Sequence, residues 1–308
     1  MTLIEQYRFS GEKVLVTGAR GFIGSHLCDR LLRNGAELHA VSRKSKDSLP
    51  EQIRVWVGSL SDLSFVGKIV SEVKPDYIFH LSGFVSGLRD AQYVIESYHS
   101  LLTSTVNLLT VATKTGCKKI VLAGSLEEPD EVSPVPSSPY AAAKWACRGY
   151  ERMYHALYGT PVVNPRIFMV YGPGQREIRK LIPYVILSLL RNEVPKLSSG
   201  RRAIDWVFID DVVDGLIHLA KNETFDRVDI GTGCTTTVKE IVEKLVAITG
   251  SDKRPVFGDL EERPLERVAS ADSENTFEKT GWKPVMSIDE GLRQTVSWYK
   301  DHLGEFGT

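Results

Sequence analysis

One stretch near the start of the chain leaves little freedom in how it folds. The apolar run Val14-Leu15-Val16-Thr17 leads directly into Gly18-Ala19-Arg20-Gly21-Phe22-Ile23-Gly24, and helical apolar spacing then continues to about residue 32. That order calls for a buried strand, a glycine turn and a helix. Glycines at 18, 21 and 24 permit a tight turn, close approach of the backbone to a pyrophosphate and close helix packing. The start of the helix adds N–H groups that an anion can take. A dinucleotide site is therefore expected here, with Gly18, Arg20, Gly21, Phe22, Ile23 and Gly24 against the phosphates.

Short apolar runs recur at residues 13–17, 37–41, 53–57, 76–81, 118–123 and 161–167, with amphipathic helical patterns between most of them. This alternation predicts an α/β fold, a Rossmann-type doubly wound parallel sheet with right-handed crossovers and ligands at the carboxyl ends of its strands. Past about residue 170 the rhythm loosens, and helical stretches near 180–191, 210–220, 238–249 and 288–303 are separated by loops and short strands. The expected organisation is a dinucleotide-binding domain over 1–170 and a smaller, mostly helical substrate-binding lobe over 171–308, with some exchange of chain between them. A chain of 308 residues can bury such a core without staples. Cys28, Cys117, Cys147 and Cys234 lack the spacing of a zinc site or a disulfide framework, so no metal is expected. With 38 Lys and Arg against 39 Asp and Glu there is no basic block to hold nucleic acid. The first twelve residues are polar, so neither a membrane span nor a signal peptide is expected, and a reducing cytoplasm fits.

After the second strand, where NAD enzymes place an acid to hold the ribose 2′-hydroxyl, the chain reads Ser42-Arg43-Lys44. Without a carboxylate there, Arg20, Arg43 and Lys44 are expected to clamp a 2′-phosphate, making NADP(H) the expected cofactor. Asp62 and Leu63, after the third strand, suit the adenine edge. Leu81, Ser82 and Gly83, after the fourth, give the cofactor close passage.

Farther on, Ser138 can cap a helix and Pro139 suits its first position, so the interval from Tyr140 to Lys144 sets a phenol and an ammonium on one helical face. A cation held there favours phenolate, lowering the tyrosine pKa towards neutrality so that it can exchange protons with a sugar hydroxyl or ketone. Both residues are expected to reach the cofactor as well.

The glycine pattern, Tyr140-x-x-x-Lys144, Tyr171-Gly172-Pro173, Ile209-Asp210-Asp211-Val212 and the closing Gly281-Trp282-Lys283-Pro284 with Gly291-Leu292 occur in the order seen in extended short-chain dehydrogenase/reductases. The chain resembles their nucleotide-sugar epimerase, dehydratase and reductase group over nearly its whole length. The resemblance implies Ser125 as the hydroxyl partner of Tyr140, and Glu127 at the base position of sugar 4,6-dehydratases. Leu126, however, stands where dehydratases carry an acid or a small polar residue. Ser125-Leu126-Glu127-Glu128 is similar to a run in 4-keto-6-deoxysugar reductases, although Pro129-Asp130 replaces the usual Tyr-Gly and Met169 replaces a common Asn. By the same resemblance, Lys180 falls at a polar active-site position, and Arg202 and Arg263 fall where the group grips a nucleoside diphosphate. The implied function is NADPH-dependent reduction of the C4 ketone of a nucleotide-linked 4-keto-6-deoxyhexose. The same Ser125, Tyr140 and Lys144 set serves epimerases and dehydratases. A non-catalytic NADP-binding regulatory protein is the alternative from another class, and the intact set argues against it. A homodimer through helices near 101–113 and 140–154 is also implied.

Overall fold

Val14, Leu15 and Val16 are apolar at consecutive positions, so both faces of the strand they form must be covered. Strand β1 (Lys13–Thr17) accordingly lies inside a sheet. The computed structural model describes residues 7–43, 49–130, 134–225 and 227–307. In it β1 pairs in parallel with β2 (Glu37–Ser42) on one side and β4 (Tyr77–His80) on the other. With β3 (Arg54–Val57), β5 (Lys119–Leu122) and β6 (Val162–Val163) the sheet order is β3-β2-β1-β4-β5-β6. The strand order reverses between β1 and β4, and open α/β sheets bind ligands outside the strand ends at such a switch point. All six runs expected from the sequence supply strands of this sheet. The last is cut short at Asn164-Pro165, where proline removes a ladder N–H, and the chain resumes as β7 (Arg166–Ile167) outside the main sheet.

Alternation decides which core each side chain joins. Val14 and Val16 enter one cluster with Leu27, Cys28 and Leu31 of α1 (Phe22–Arg33) and Val212, Val213 and Leu216 of α7 (Ile209–Lys221). Leu15 enters the other, with Val66, Ile69 and Val70 of α2 (Leu63–Val73) and Leu108 and Leu109 of α4 (Ser104–Thr115). Each fully buried Leu, Ile or Val contributes about 1.5–3 kcal/mol relative to exposure, so a one-residue slip of β1 would be costly. Before α4 the chain runs through α3 (Val94–Ser97) and a π-helical turn over Tyr98–Thr103. Helix α5 (Pro139–Tyr158) packs against that turn and against α4.

Beyond residue 170 come α6 (Leu181–Leu190), α7, α8 (Val238–Thr249), α9 (Ser273–Thr280) and α10 (Ile288–Asp301). Short strands form three small sheets: β8 (Met169–Tyr171), β10 (Ala203–Phe208) and β12 (Thr235–Thr237) in one, β7 with β11 (Asp229–Ile230), and β9 (Lys196–Leu197) with β13 (Val256–Phe257). Helix α7 returns to the main sheet, where Asp214 pairs with Arg30 of α1. Asp211 accepts the backbone N–H groups of Val285 and Met286, each at 3.0 Å, which ties the closing Trp-Lys-Pro segment to α7. Among the described residues no helix is long and apolar enough to cross a membrane.

Candidate active site

Gly18 has φ +75°, and a Cβ there would lie 2.8 Å from the Leu81 carbonyl carbon and the Ser82 nitrogen, so only glycine lets β1 turn this close to the end of β4. A Cβ on Gly24 would run into the Gly18 carbonyl oxygen, while Gly21 donates its N–H to that oxygen at 2.9 Å. No side chain caps α1 and no acid stands in its first turn, so the N–H groups at Phe22 and Ile23 lie at the positive end of the helix dipole. Ser82 Oγ is buried without a hydrogen-bond partner among the described residues. A glycine cradle, an uncapped helix start and an orphaned hydroxyl fit the pyrophosphate of a dinucleotide.

Around this cradle the expected residues fall as follows. Ser42 is buried at the end of β2, while Arg43 beyond it and Arg20 in the turn are exposed. Lys44 lies outside the described residues. Asp62 caps α2, its Oδ1 accepting from Ser64 N at 2.9 Å and Phe65 N at 3.3 Å, so one carboxylate oxygen is already engaged. Leu63 next to it is exposed. Gly83 packs against Leu101 with no room for a Cβ. His80 links the strand ends to α4, hydrogen-bonding Thr17 Oγ1 at 2.8 Å and Thr105 Oγ1 at 3.1 Å. Burial pushes its pKa down to about 3, so it is a neutral structural link at the floor of the cradle.

Helix α5 starts as the sequence predicts, with Ser138 accepting from Ala141 N at 3.2 Å and Pro139 in the first turn. Tyr140 and Lys144 therefore stand one turn apart. Ser125 follows β5; its hydroxyl accepts from Glu127 N at 3.2 Å and faces the Tyr140 phenol closely enough to favour the phenolate. The expected depression of the Tyr140 pKa is not found. Burial raises it, the carboxylates of Glu128 and Glu127 add to the rise, and the Ser125 hydroxyl only partly offsets them. Lys144 donates to the Ala123 carbonyl at 2.5 Å, and its own pKa is lowered by burial. One of the ammonium N–H groups is thus held by the carbonyl just after β5, one helical turn from the phenol.

Glu127 Oε2 accepts from Ser137 Oγ at 3.1 Å, and its Oε1 lies 3.3 Å from Arg202 Nη2. The same guanidinium reaches Glu266 Oε1 at 3.3 Å through Nη1 and donates from Nε to the Arg267 carbonyl at 3.0 Å. Arg202, expected at the diphosphate, is thus committed to two carboxylates and a carbonyl. It borders a cavity of about 400 Å³, lined also by Ser199, Arg201, Arg263 and Leu265. Lys180 precedes α6, and its pKa is lowered chiefly by burial, with Arg263 adding to the fall and Glu127 opposing it. Glu127, Lys180, Arg202 and Arg263 therefore lie near one another. Sequence reasoning missed Ser137 and Arg227. Arg227 ion-pairs with Glu128 at 3.2 Å from 99 residues away, and no periodicity signals a lone arginine in a loop.

Comparisons with known proteins agree with this fold. The chain is 30% identical to the UDP-glucose 4-epimerase of Mycolicibacterium smegmatis, over 94% of this chain and 99% of the relative. It superposes on the UDP-glucose 4-epimerase of Thermotoga maritima, solved with UDP-glucose, with a TM-score of 0.85 and 29% identity over 94% of this chain and 99% of that one. The Bordetella bronchiseptica enzyme WbmF, solved with NADH, gives a TM-score of 0.83 at 27% identity, covering 97% of this chain and 94% of that one. Residues 14–231 match the family described as NAD dependent epimerase/dehydratase. With the cradle, the Ser125-Tyr140-Lys144 cluster and the sheet order in hand, the chain belongs to the NAD dependent epimerase/dehydratase family.

Proposed function

We propose that the protein is an NADPH-dependent 4-ketoreductase acting on a nucleotide-linked 4-keto-6-deoxyhexose. The observation that carries this reading is Leu126, buried at 6% exposure between Ser125 and Glu127. It puts an apolar side chain at the position directly after Ser125, where dehydratases carry the residue that helps expel a C6 hydroxyl as water. A bound nicotinamide dinucleotide supplies the hydride. Gly18, Phe22, Ile23 and Ser82 would hold its pyrophosphate region, and Arg20 and Arg43, with Lys44, would hold a 2′-phosphate. Ser125 orients the ketone oxygen by a hydrogen bond, and Tyr140 gives its proton to the oxygen as negative charge develops there. A phenol kept protonated by burial is ready as a donor, the role that reduction requires. Lys180, Arg202 and Arg263 would meet the diphosphate, with Arg201 beside the two arginines in a cavity that Glu262 and Glu266 also line.

The second reading is a nucleotide-sugar 4-epimerase, favoured by the 30% identity to a UDP-glucose 4-epimerase over nearly the full chain. One assay separates the two. Purified protein is incubated with nucleotide 4-keto-6-deoxysugars and NADPH, and in parallel with UDP-glucose and NAD⁺, following absorbance of the reduced cofactor and products by mass. Consumption of NADPH with a gain of two hydrogens is the expected result. Interconversion of UDP-glucose and UDP-galactose without net cofactor use would replace the reductase reading with the epimerase.

A further inference from the structure

Glu128 is a carboxylate at 1% exposure whose side chain folds back onto the Ser125 backbone. Its Oε1 accepts the Ser125 backbone N–H at 2.7 Å, its own N–H donates to the Ser125 carbonyl at 3.1 Å, and its Oε2 meets Arg227 Nη2 at 3.2 Å. The backbone around it is shaped for this approach. A Cβ on Gly124 would sit 3.0 Å from Glu128 Oε1 and 2.8 Å from the Pro165 carbonyl, which itself accepts the Gly124 N–H at 2.9 Å. Burying a carboxylate costs several kcal/mol unless it is paired and hydrogen-bonded. An apolar residue would fill the volume without that cost, so a charge kept at this spot calls for a use.

We propose that Glu128 is a positioning residue: its carboxylate, locked by Arg227, fixes the Ser125 backbone so that the Ser125 hydroxyl stays on the Tyr140 phenol. The proposal rests on the reading of Ser125 and Tyr140 as the proton-transfer pair. Tyr140 is influenced by Glu128 and Glu127 from the segment after β5 and by Cys147 from its own helix. Glu128 is acted on by Arg227 from the segment before β11 and by Lys144 and Arg148 from α5. Glu151 of α5, hydrogen-bonded to Asn164, completes the pocket. The negative charge of Glu128 also favours the protonated phenol of Tyr140.

Two isosteric or near-isosteric variants test this, with dTDP-4-keto-6-deoxyglucose plus NADPH, and UDP-glucose plus NAD⁺, as the probes. Glu128→Gln keeps an acceptor for the Ser125 N–H but removes the charge. It should lower kcat by about tenfold and leave KM within about twofold. Glu128→Asp keeps the charge and withdraws the reach, so kcat should again fall with KM held. Parental kcat in Glu128→Gln would overturn the proposal. So would loss of folded protein in both variants, because Glu128 would then hold the fold and not the site. Failure of the underlying reading looks different: Tyr140→Phe would retain the parental rate, or the parent would act on neither probe.

Discussion

Leu126 and Glu127 are neighbours in the chain with opposite fates, one sealed in the core and the other drawn to Arg202 and Ser137. An acid held by an arginine and a hydroxyl orients a substrate better than it shuttles a proton. We therefore expect Glu127→Gln to slow turnover by about tenfold without changing the product. Turnover in heavy water gives the sharper reading, because simple C4 reduction leaves sugar C5 unlabelled. Stable deuterium at C5 that vanishes in the Gln variant would mean that Glu127 removes that proton and that the reaction is not a reduction. Tyr140→Phe should cost about a hundredfold or more in turnover, the usual size of a lost general acid, with cofactor binding nearly intact by fluorescence titration. At the cofactor end no carboxylate follows β2 at Ser42-Arg43. NADPH should bind at least about tenfold tighter than NADH, the factor that about 1.4 kcal/mol from one charge-assisted phosphate contact supplies. Equal affinities in the same titration would remove Arg20, Arg43 and Lys44 from that role.

At the scale of the element, α5 is amphipathic in an unusual way, since its inward face carries Lys144 and Glu151 as well as apolar residues. Burial raises the Glu151 pKa to about 8 from an ordinary 4.5, with Glu128 adding to the rise and Asn164 opposing it. Because the folded value lies above the unfolded one, the fold favours the neutral acid. Its stabilising contribution is complete below about pH 4.5 and is lost as pH rises through about 8. Glu151→Gln, which cannot ionise, should therefore melt higher than the parent at pH 8.5 and at nearly the same temperature at pH 4.5. Matching melting curves at both pH values would show that Glu151 is ionised in the fold. His80 works in the opposite sense: its folded pKa is depressed, so the stability it lends is present above about 6.5 and drains away as pH falls towards about 3. The caps on these helices were legible in advance. Ser138, Pro139 and the Tyr140–Lys144 interval act within one turn, where sequence spacing and distance are nearly the same thing.

For the whole molecule, the expected dimer helices, near 101–113 and 140–154, keep Leu102, Val106 and Val111 half-buried. Exposed apolar side chains beside them include Val94 and Ile95 of α3, Tyr98 beyond it, and Trp145 and Tyr150 of α5. Helix α5 contacts α3, so these residues lie on neighbouring elements. We propose a homodimer built on that belt, in line with the tendency of large exposed apolar patches to mark interfaces. Sedimentation velocity at micromolar concentration should show a dimer that Ile95→Asp combined with Trp145→Asp dissociates. A parent that sediments only as monomer would contradict it.

What the sequence determined by itself is everything carried by local period. The glycine turn, the six sheet strands and the helix boundaries at Val238–Thr249 and near Leu181–Leu190 all follow from spacing and backbone freedom within a few residues. The site's polar wiring was decided only by the tertiary structure. Glu127 meets Arg202 across 75 residues and Glu128 meets Arg227 across 99, and single charges in loops have no period to read. The direction of the Tyr140 pKa belongs to the same class. Spacing places Lys144 one turn away, but burial and the neighbouring carboxylates of Glu128 and Glu127 set the phenol's proton affinity, and both act only once the sheet and helices have closed around it.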